Sequence, residues 1–261
     1  MTTTLTRRAG VLALIAATTT TLTGCAGVIG AKMTYDDTVK DKITDIVLTG
    51  DSGDVAIGTG AVQATTINRV IRRATNPGES YHLQGTTLTI DTSCGMNCSV
   101  SYKIVTPPGV KVHGKQRSGD VTLDGLADTD LEVSSGDLTV RDATGPVQIR
   151  ATSGDIKVLN AKASVKVKAS SGDVEVLEAG GPVDVGVTSG DLRVSLAAPN
   201  SVTAHASSGD IDVIVPDGKY KLVTSAGSGD VHTGGMTSDA TSKNVIDVRV
   251  TSGDVTVAST P

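Results

Sequence analysis

Apolar and polar positions alternate in short runs that restart at a recurring tripeptide. Ser-Gly-Asp occurs nine times, with its glycines at Gly53, Gly119, Gly136, Gly154, Gly172, Gly190, Gly209, Gly229 and Gly253. Two residues after the last eight of these stand Val121, Leu138, Ile156, Val174, Leu192, Ile211, Val231 and Val255, and four after them stand Leu123, Val140, Val158, Val176, Val194, Val213, Thr233 and Val257. A period of two puts these residues on one buried face of a strand. A second alternating run precedes the glycine: seven residues before it lie Val147, Val165, Val183, Val202, Leu222 and Ile246, and three before it lie Ala151, Ala169, Val187, Ala206, Ala226 and Val250. Each unit therefore reads strand, turn, strand, turn, and from Gly119 onward the glycines are 17, 18, 18, 18, 19, 20 and 24 residues apart.

Two architectures satisfy that pattern. An antiparallel meander would hold about sixteen strands in one sheet, more than an open twisted sheet carries without curling or splitting. A β-solenoid, a parallel β-helix-like stack of two-strand coils, places equivalent residues about 4.8 Å apart and closes two facing sheets over a common interior. The outward position three after the glycine reads Thr122, Thr139, Lys157, Glu175, Arg193, Asp212, His232, Thr256. Its charged stretch alternates in sign from unit to unit, which stabilises stacked neighbours by about 0.2–1 kcal/mol per pair. The solenoid is the expected fold. Its glycines are expected at φ above zero, and small alanines let the two sheets approach beside them.

Residues 42–117 are less regular. Gly53 sits in one coil-like unit, followed by longer runs over 62–71, 81–91 and 99–105, and this region is expected to form an irregular N-terminal β cap over the repeat solenoid of 118–261. The widened last step, which contains Gly234-Gly235, predicts a looser or looped-out coil.

Composition sharpens the picture. The chain has no Phe or Trp and only 4 Tyr among its 261 residues, so its interior is aliphatic and thin. A net charge of −5 gives no reason to expect a nucleic-acid partner, since binding phosphates calls for clustered Lys and Arg. The aspartates of the tripeptides would stack in an exposed column, neighbours repelling by about 0.9 kcal/mol in bulk water at about 4.8 Å. Turn N–H groups or the neighbouring serines are expected to offset this, and a row of cation sites is the alternative reading.

The first residues read as an address. Arg7 and Arg8 precede an apolar run over 11–17, and the segment closes with Leu22-Thr23-Gly24-Cys25. Residues 1–24 are expected to be a secretory signal, too short in its apolar run to span a bilayer, and residues 25–41 a tether. The closing residues resemble the bacterial lipobox, which implies a diacylglyceryl group on Cys25 and a lipid-anchored, extracytoplasmic location at the cell membrane. The segment Thr6-Arg7-Arg8-Ala9-Gly10-Val11 partly resembles a twin-arginine export signal, and the route of export stays open. Cys94 and Cys98 are then left as a close pair, expected to form a disulfide in an oxidising compartment; a metal site would need more soft ligands.

These residues are similar to a known bacterial family, the "putative adhesin" domain of repeated β-strands on exported proteins. The likeness rests on the Ser-Gly-Asp-apolar-x-apolar unit and on strands ending in Pro-x-Gly, at Pro107-Pro108-Gly109 and Pro216-Asp217-Gly218, and it covers about 42–261. It implies a solenoid-like repeat fold and no catalytic residues.

The expected function is a non-catalytic surface interaction or structural role, without cofactor, toward a cell-wall polymer or an envelope protein. An envelope signalling partner is the alternative. A polysaccharide-acting β-helix enzyme would need a cluster that breaks the repeat, whereas His82, His113, His205 and His232 are dispersed. A calcium-bound repeat would need more than one Asp in about 18 residues, since the ion takes about six to eight oxygens.

Overall fold

Period-two alternation turns nearly every apolar run into a strand. The computed structural model describes residues 32–72, 78–79, 81–95 and 98–260. The strands are β1 (Lys32–Val39), β2 (Asp45–Ser52), β3 (Val55–Thr59), β4 (Thr65–Arg72), β5 (Tyr81–Gln84), β6 (Thr87–Asp91), β7 (Ser99–Thr106), β8 (Lys111–Ser118), β9 (Val121–Asp124), β10 (Asp128–Val133), β11 (Leu138–Arg141) and β12 (Val147–Ala151). They continue with β13 (Ile156–Leu159), β14 (Val165–Ser171), β15 (Val174–Ala179), β16 (Val183–Ser189), β17 (Leu192–Leu196), β18 (Val202–Ser208), β19 (Ile211–Pro216), β20 (Lys221–Ser228), β21 (Val231–His232), β22 (Val245–Ser252) and β23 (Val255–Thr260).

They form two facing sheets. The first has 12 strands in the order β1-β4-β7-β3-β9-β11-β13-β15-β17-β19-β23-β21, and the second has 11 in the order β20-β22-β18-β16-β14-β12-β10-β8-β2-β6-β5. All pairings in the repeat are parallel, and Leu138 lies beside Ile156, Ile156 beside Val174, and Val174 beside Leu192; the register shifts once, between Val176 and Ala179 where β15 meets β17. The fold is an all-β solenoid. The interior columns are almost wholly excluded from water, as at Val147, Val165, Val183 and Val202, each exposed by 3% or less.

The Ser-Gly-Asp corner sets the spacing. At Gly154 φ is +110°, and a Cβ there would collide with the carbonyl oxygen of Gly136 in the coil below. Only glycine combines that φ with so close a backbone approach. A second corner lies six residues on, where Gly125, Asp142, Asn160 and Glu178 stack with φ of 69°, 51°, 56° and 56°. Alanines follow it as a further interior column, Ala143, Ala161 and Ala179, each at most 1% exposed.

The two ends depart from chain order. The coil β2/β3 lies between β6/β7 and β8/β9, so an earlier segment is flanked by two later ones. At the other end the last coil, β22/β23, inserts between β18/β19 and β20/β21. Val231, expected to be buried, is 39% exposed because β20/β21 is the terminal coil. The extra residues of the 24-residue step are looped out without a strand over 233–244, and the loop runs back over the end. Met236 packs against the core, the Asp239 N–H donates to the Tyr220 carbonyl at 2.8 Å, and Ser238 Oγ accepts from the outward Leu222 N–H at 3.0 Å.

Several N-terminal expectations need correction. Residues 32–39 are not tether but strand β1, paired antiparallel with β4 from Lys32↔Arg72 to Val39↔Thr65, because alternate side chains there, including Met33, Tyr35 and Val39, pack on the core. The run over 81–91 is a hairpin, β5 and β6, broken by Gly85 at φ 61°. The boundary at 117/118 cuts a coil, since β8 and β9 stack as one unit beneath β10/β11. The region before it supplies two coils, β6/β7 and β2/β3, and not one.

Candidate interaction surface

With the interior filled by aliphatic columns, chemistry falls to the outer faces. One is the aspartate column. The Asp137 N–H donates to Asp120 Oδ1 at 3.0 Å, the Asp155 N–H to Asp137 Oδ1 at 3.0 Å, and the Asp173 N–H to Asp155 Oδ1 at 3.0 Å. The ladder runs from Asp54 through Asp120 to Asp210, then Asp254, then Asp230, following the spatial and not the chain order. A hydrogen bond to a charged acceptor contributes about 1.5–3 kcal/mol. Even halved by exposure, that is comparable with the roughly 0.9 kcal/mol of repulsion between neighbours. Turn N–H groups therefore do the offsetting, and among the described residues no group of three or more His, Cys, Asp or Glu is placed to hold a metal ion.

The outer face of the 12-stranded sheet carries a compensated ionic row. Lys157 Nζ lies 3.3 Å from Glu175, and Arg193 lies 3.8 Å from both Glu175 and Asp212. On the opposite sheet Lys115 pairs with Glu132 at 2.6 Å, Arg150 with Asp130 at 3.2 Å and Lys166 with Asp184 at 2.9 Å. Such exposed pairs contribute little each, about 0–1 kcal/mol, and chiefly fix registry.

That second face is not uniformly covered. A row across it reads Glu132, Arg150, Lys168, Gly186, His205, Arg249, Ser225 on successive strands. Around Gly186 the surface sinks into an open depression of about 800 Å³, bordered by Lys168, Asp184, His205 and Arg249 and by the hydroxyls of Thr188, Ser207, Ser225 and Thr251. Arg249 is held by both oxygens of Asp247, at 2.7 and 2.9 Å, and His205 Nε2 is 3.7 Å from the same carboxylate.

The remaining predicted residues are scattered. A disulfide joins Cys94 and Cys98, with Cα atoms 5.5 Å apart, in the corner passing from β6 in one sheet to β7 in the other. Cys25 and the signal segment lie outside the described residues. His82, His113, His205 and His232 stand on four separate strands, all exposed. No helix among the described residues is long and apolar enough to cross a membrane.

Residues missed by the repeat pattern cluster at the ends. Gln116, 1% exposed, stands in a column between Gly50 and Val133, which continues through the repeat as Ala and Val. Its Nε2 donates to the Gly53 carbonyl at 3.0 Å, the Ser118 carbonyl at 2.8 Å and Thr92 Oγ1 at 3.1 Å, tying three coils together. Arg69, 6% exposed, lies over the rings of Tyr35 at 4.6 Å and Tyr81 at 5.8 Å. Burial, then the hydrogen bond with Asp37, pushes the Tyr81 hydroxyl up to about 12. At the other end burial, then the charge of Asp217, raises Tyr220, whose hydroxyl donates to the Pro216 carbonyl at 2.8 Å. Donation from Thr241 lowers Asp239.

Parallel two-strand coils with laddered, ion-paired outer faces define an all-β solenoid module with an extended polar surface. Residues 37–258 match the family model described as Toastrack DUF4097, and the chain belongs to that family. Its fold is similar to that of a "putative adhesin" from Bacteroides fragilis, at TM-score 0.54 and 14% identity over 90% of this chain and 100% of the other. It is also similar to a "putative adhesin" from Parabacteroides distasonis, at TM-score 0.50 and 12% identity over 87% and 98%. At such identities the likeness is one of fold. No curated protein is significantly similar to the chain.

Proposed function

We propose that the chain is an extracytoplasmic lipoprotein, anchored in the cell membrane through a diacylglyceryl group on Cys25, whose Toastrack domain is a non-catalytic adhesin-like interaction module. One observation carries the reading: on the outer face of the 12-stranded sheet titratable groups recur with the coils and pair along them, as in Lys157–Glu175–Arg193–Asp212, instead of converging on one point as acid–base chemistry requires. The adhesin descriptions of the two solved structures of this fold support it. A long flat polar face suits a polymer or a protein more than an enclosed small molecule.

Fractionation of cells making the chain or its Cys25→Ser variant tests the anchor. The parent partitions with membranes and the variant does not; equal partitioning overturns the lipid anchor. Pull-down of the protein against envelope fractions tests the module. Retention of wall polymer at unchanged length supports interaction, capture of a single membrane protein favours signalling, and shortening of the polymer overturns the non-catalytic reading.

A further inference from the structure

The depression around Gly186 carries a more specific assignment, which rests on the interaction reading above. Three independent observations meet there. The first concerns the glycine. Corner glycines such as Gly154 are forced by positive φ and by contact with backbone, but Gly186 is in the middle of β16, does not have positive φ, and a Cβ on it would meet only the His205 carbonyl oxygen at an ordinary 3.7 Å. Nothing in the fold demands glycine at this position. A glycine in a strand interior weakens the strand, and it commonly marks a place where a ligand approaches closely.

The second observation is the charge pattern. In neighbouring rows cations face acids, as in Lys166 against Asp184 and, on the other sheet, Lys157 against Glu175, and the Gly186 row itself begins that way with Lys115 against Glu132. In the Gly186 row the order reverses: the cations Arg150 and Lys168 are adjacent, then comes the bare glycine, then His205 and Arg249 are adjacent. Arg150 has Asp130, Arg249 has Asp247, and Asp184 is taken by Lys166, so Lys168 is left without an ion-pair partner among the described residues. Arg150 and Lys168, like charges directly opposite each other on neighbouring strands, disfavour the sheet, and an anion beside Lys168 would relieve the repulsion.

The third is shape. The depression crosses β14, β16, β18, β22 and β20, about 19 Å along the solenoid axis at about 4.8 Å per strand. Thr188, Ser207 and Thr251 form a parallel file of hydroxyls along one side. We infer that this trough binds a linear anionic polymer laid along the axis, with a phosphate or carboxylate group seated over Gly186 between Lys168 and His205 and the hydroxyl file meeting the polymer's polar backbone.

Calorimetric titration of the full chain tests this with three probes: poly(glycerol phosphate), polygalacturonate and neutral dextran. Binding of one or both anionic polymers, weakening with salt, and no binding of dextran are expected; which polymer binds more tightly identifies the anion as phosphate or carboxylate. Gly186→Val fills the trough with a strand-favouring side chain that the backbone has room for, so its melting temperature should hold or rise while affinity falls by about tenfold or more. Lys168→Gln should lose about fivefold at unchanged stability. Unchanged affinity in Gly186→Val and Lys168→Gln overturns the site, as does failure of both anionic polymers to bind. If envelope fractions are still retained by Gly186→Val in the pull-down, the interaction module stands and only this location falls.

Discussion

The central coils and the two ends solve the same problem with different materials. From β10 to β19 each coil lies on its chain neighbour, interior columns are Val, Ile, Leu and Ala apart from Thr129, and there is no Phe, Tyr or Trp. At the ends chain order is permuted, polar side chains are buried, and all four tyrosines appear: Tyr35, Tyr81 and Tyr102 near one end and Tyr220 near the other. The physical reason is the neighbour. A central coil has an identical partner on both sides, so small side chains fill a thin, constant gap and every strand edge is hydrogen-bonded. A terminal coil has one such partner, so it needs larger side chains and extra segments, here β1, β4, β5 and residues 233–244, to cover what stacking would have covered.

The sharpest way to break this contrast is at the corner glycines. Gly154→Ala, forced against the Gly136 carbonyl at φ +110°, should cost about 3 kcal/mol or more, read from thermal or denaturant unfolding. Gly235→Ala, at φ +78° with nothing within 4 Å of its Cβ, should cost only about 1 kcal/mol. Equal losses would mean that coil contact adds nothing to backbone strain. Next in size is Gln116→Leu, which strips the Gly53 carbonyl, Ser118 carbonyl and Thr92 of a shared donor and should cost about 2 kcal/mol. A loss no larger than that of an exposed substitution would show that the three coils do not depend on it.

How much was legible in the sequence follows the same division. Registry in the central coils could be read because residues 18 apart share an environment, so Val147, Val165 and Val183 declare one another. Chain order at the ends could not, because the units around Gly229 and Gly253 carry the same tripeptide and neither says which is terminal; the 24-residue step was the cue, giving the chain enough length to turn back and insert. The strand at 32–39 was missed because its alternate side chains are only half-buried, at an edge where hydrophobicity is diluted. Gly186 is not one of the recurring glycines, and its signal is that it interrupts the column four before the tripeptide glycines between Arg150 and Lys168 on one side and His205 on the other.

One substitution should change sign between the two regions. Thr129 is 1% exposed in the first coil of the central stack, between Val112 and Val147 in neighbouring strands, and its hydroxyl has no hydrogen-bond partner among the described residues. Thr129→Val removes that unmet polar atom at constant shape and should stabilise the protein by about 1 kcal/mol. Thr106, fully buried at the N-terminal end, shares a hydrogen bond with Thr65 at 3.0 Å, so Thr106→Val should destabilise by about the same amount. Two effects of the same sign in denaturant titrations would remove the claim that polar burial is functional at the ends and incidental in the middle.

The smallest expected effect concerns alkaline pH and is confined to the N-terminal end. Burial and the Asp37 hydrogen bond hold the Tyr81 proton until about pH 12, whereas in the unfolded chain a tyrosine releases it near 10. The unfolded state therefore binds fewer protons than the folded one between those values, and stability must fall as pH rises through that window, while below pH 10 the contribution is fully present. Tyr81→Phe keeps the ring beneath Arg69 and removes the ionisable hydroxyl, so unfolding midpoints measured between pH 10 and 12 should decline less steeply than in the parent. Identical slopes for Tyr81→Phe and the parent would mean that the N-terminal cap opens before Tyr81 titrates, making the end of the stack a separately unfolding unit.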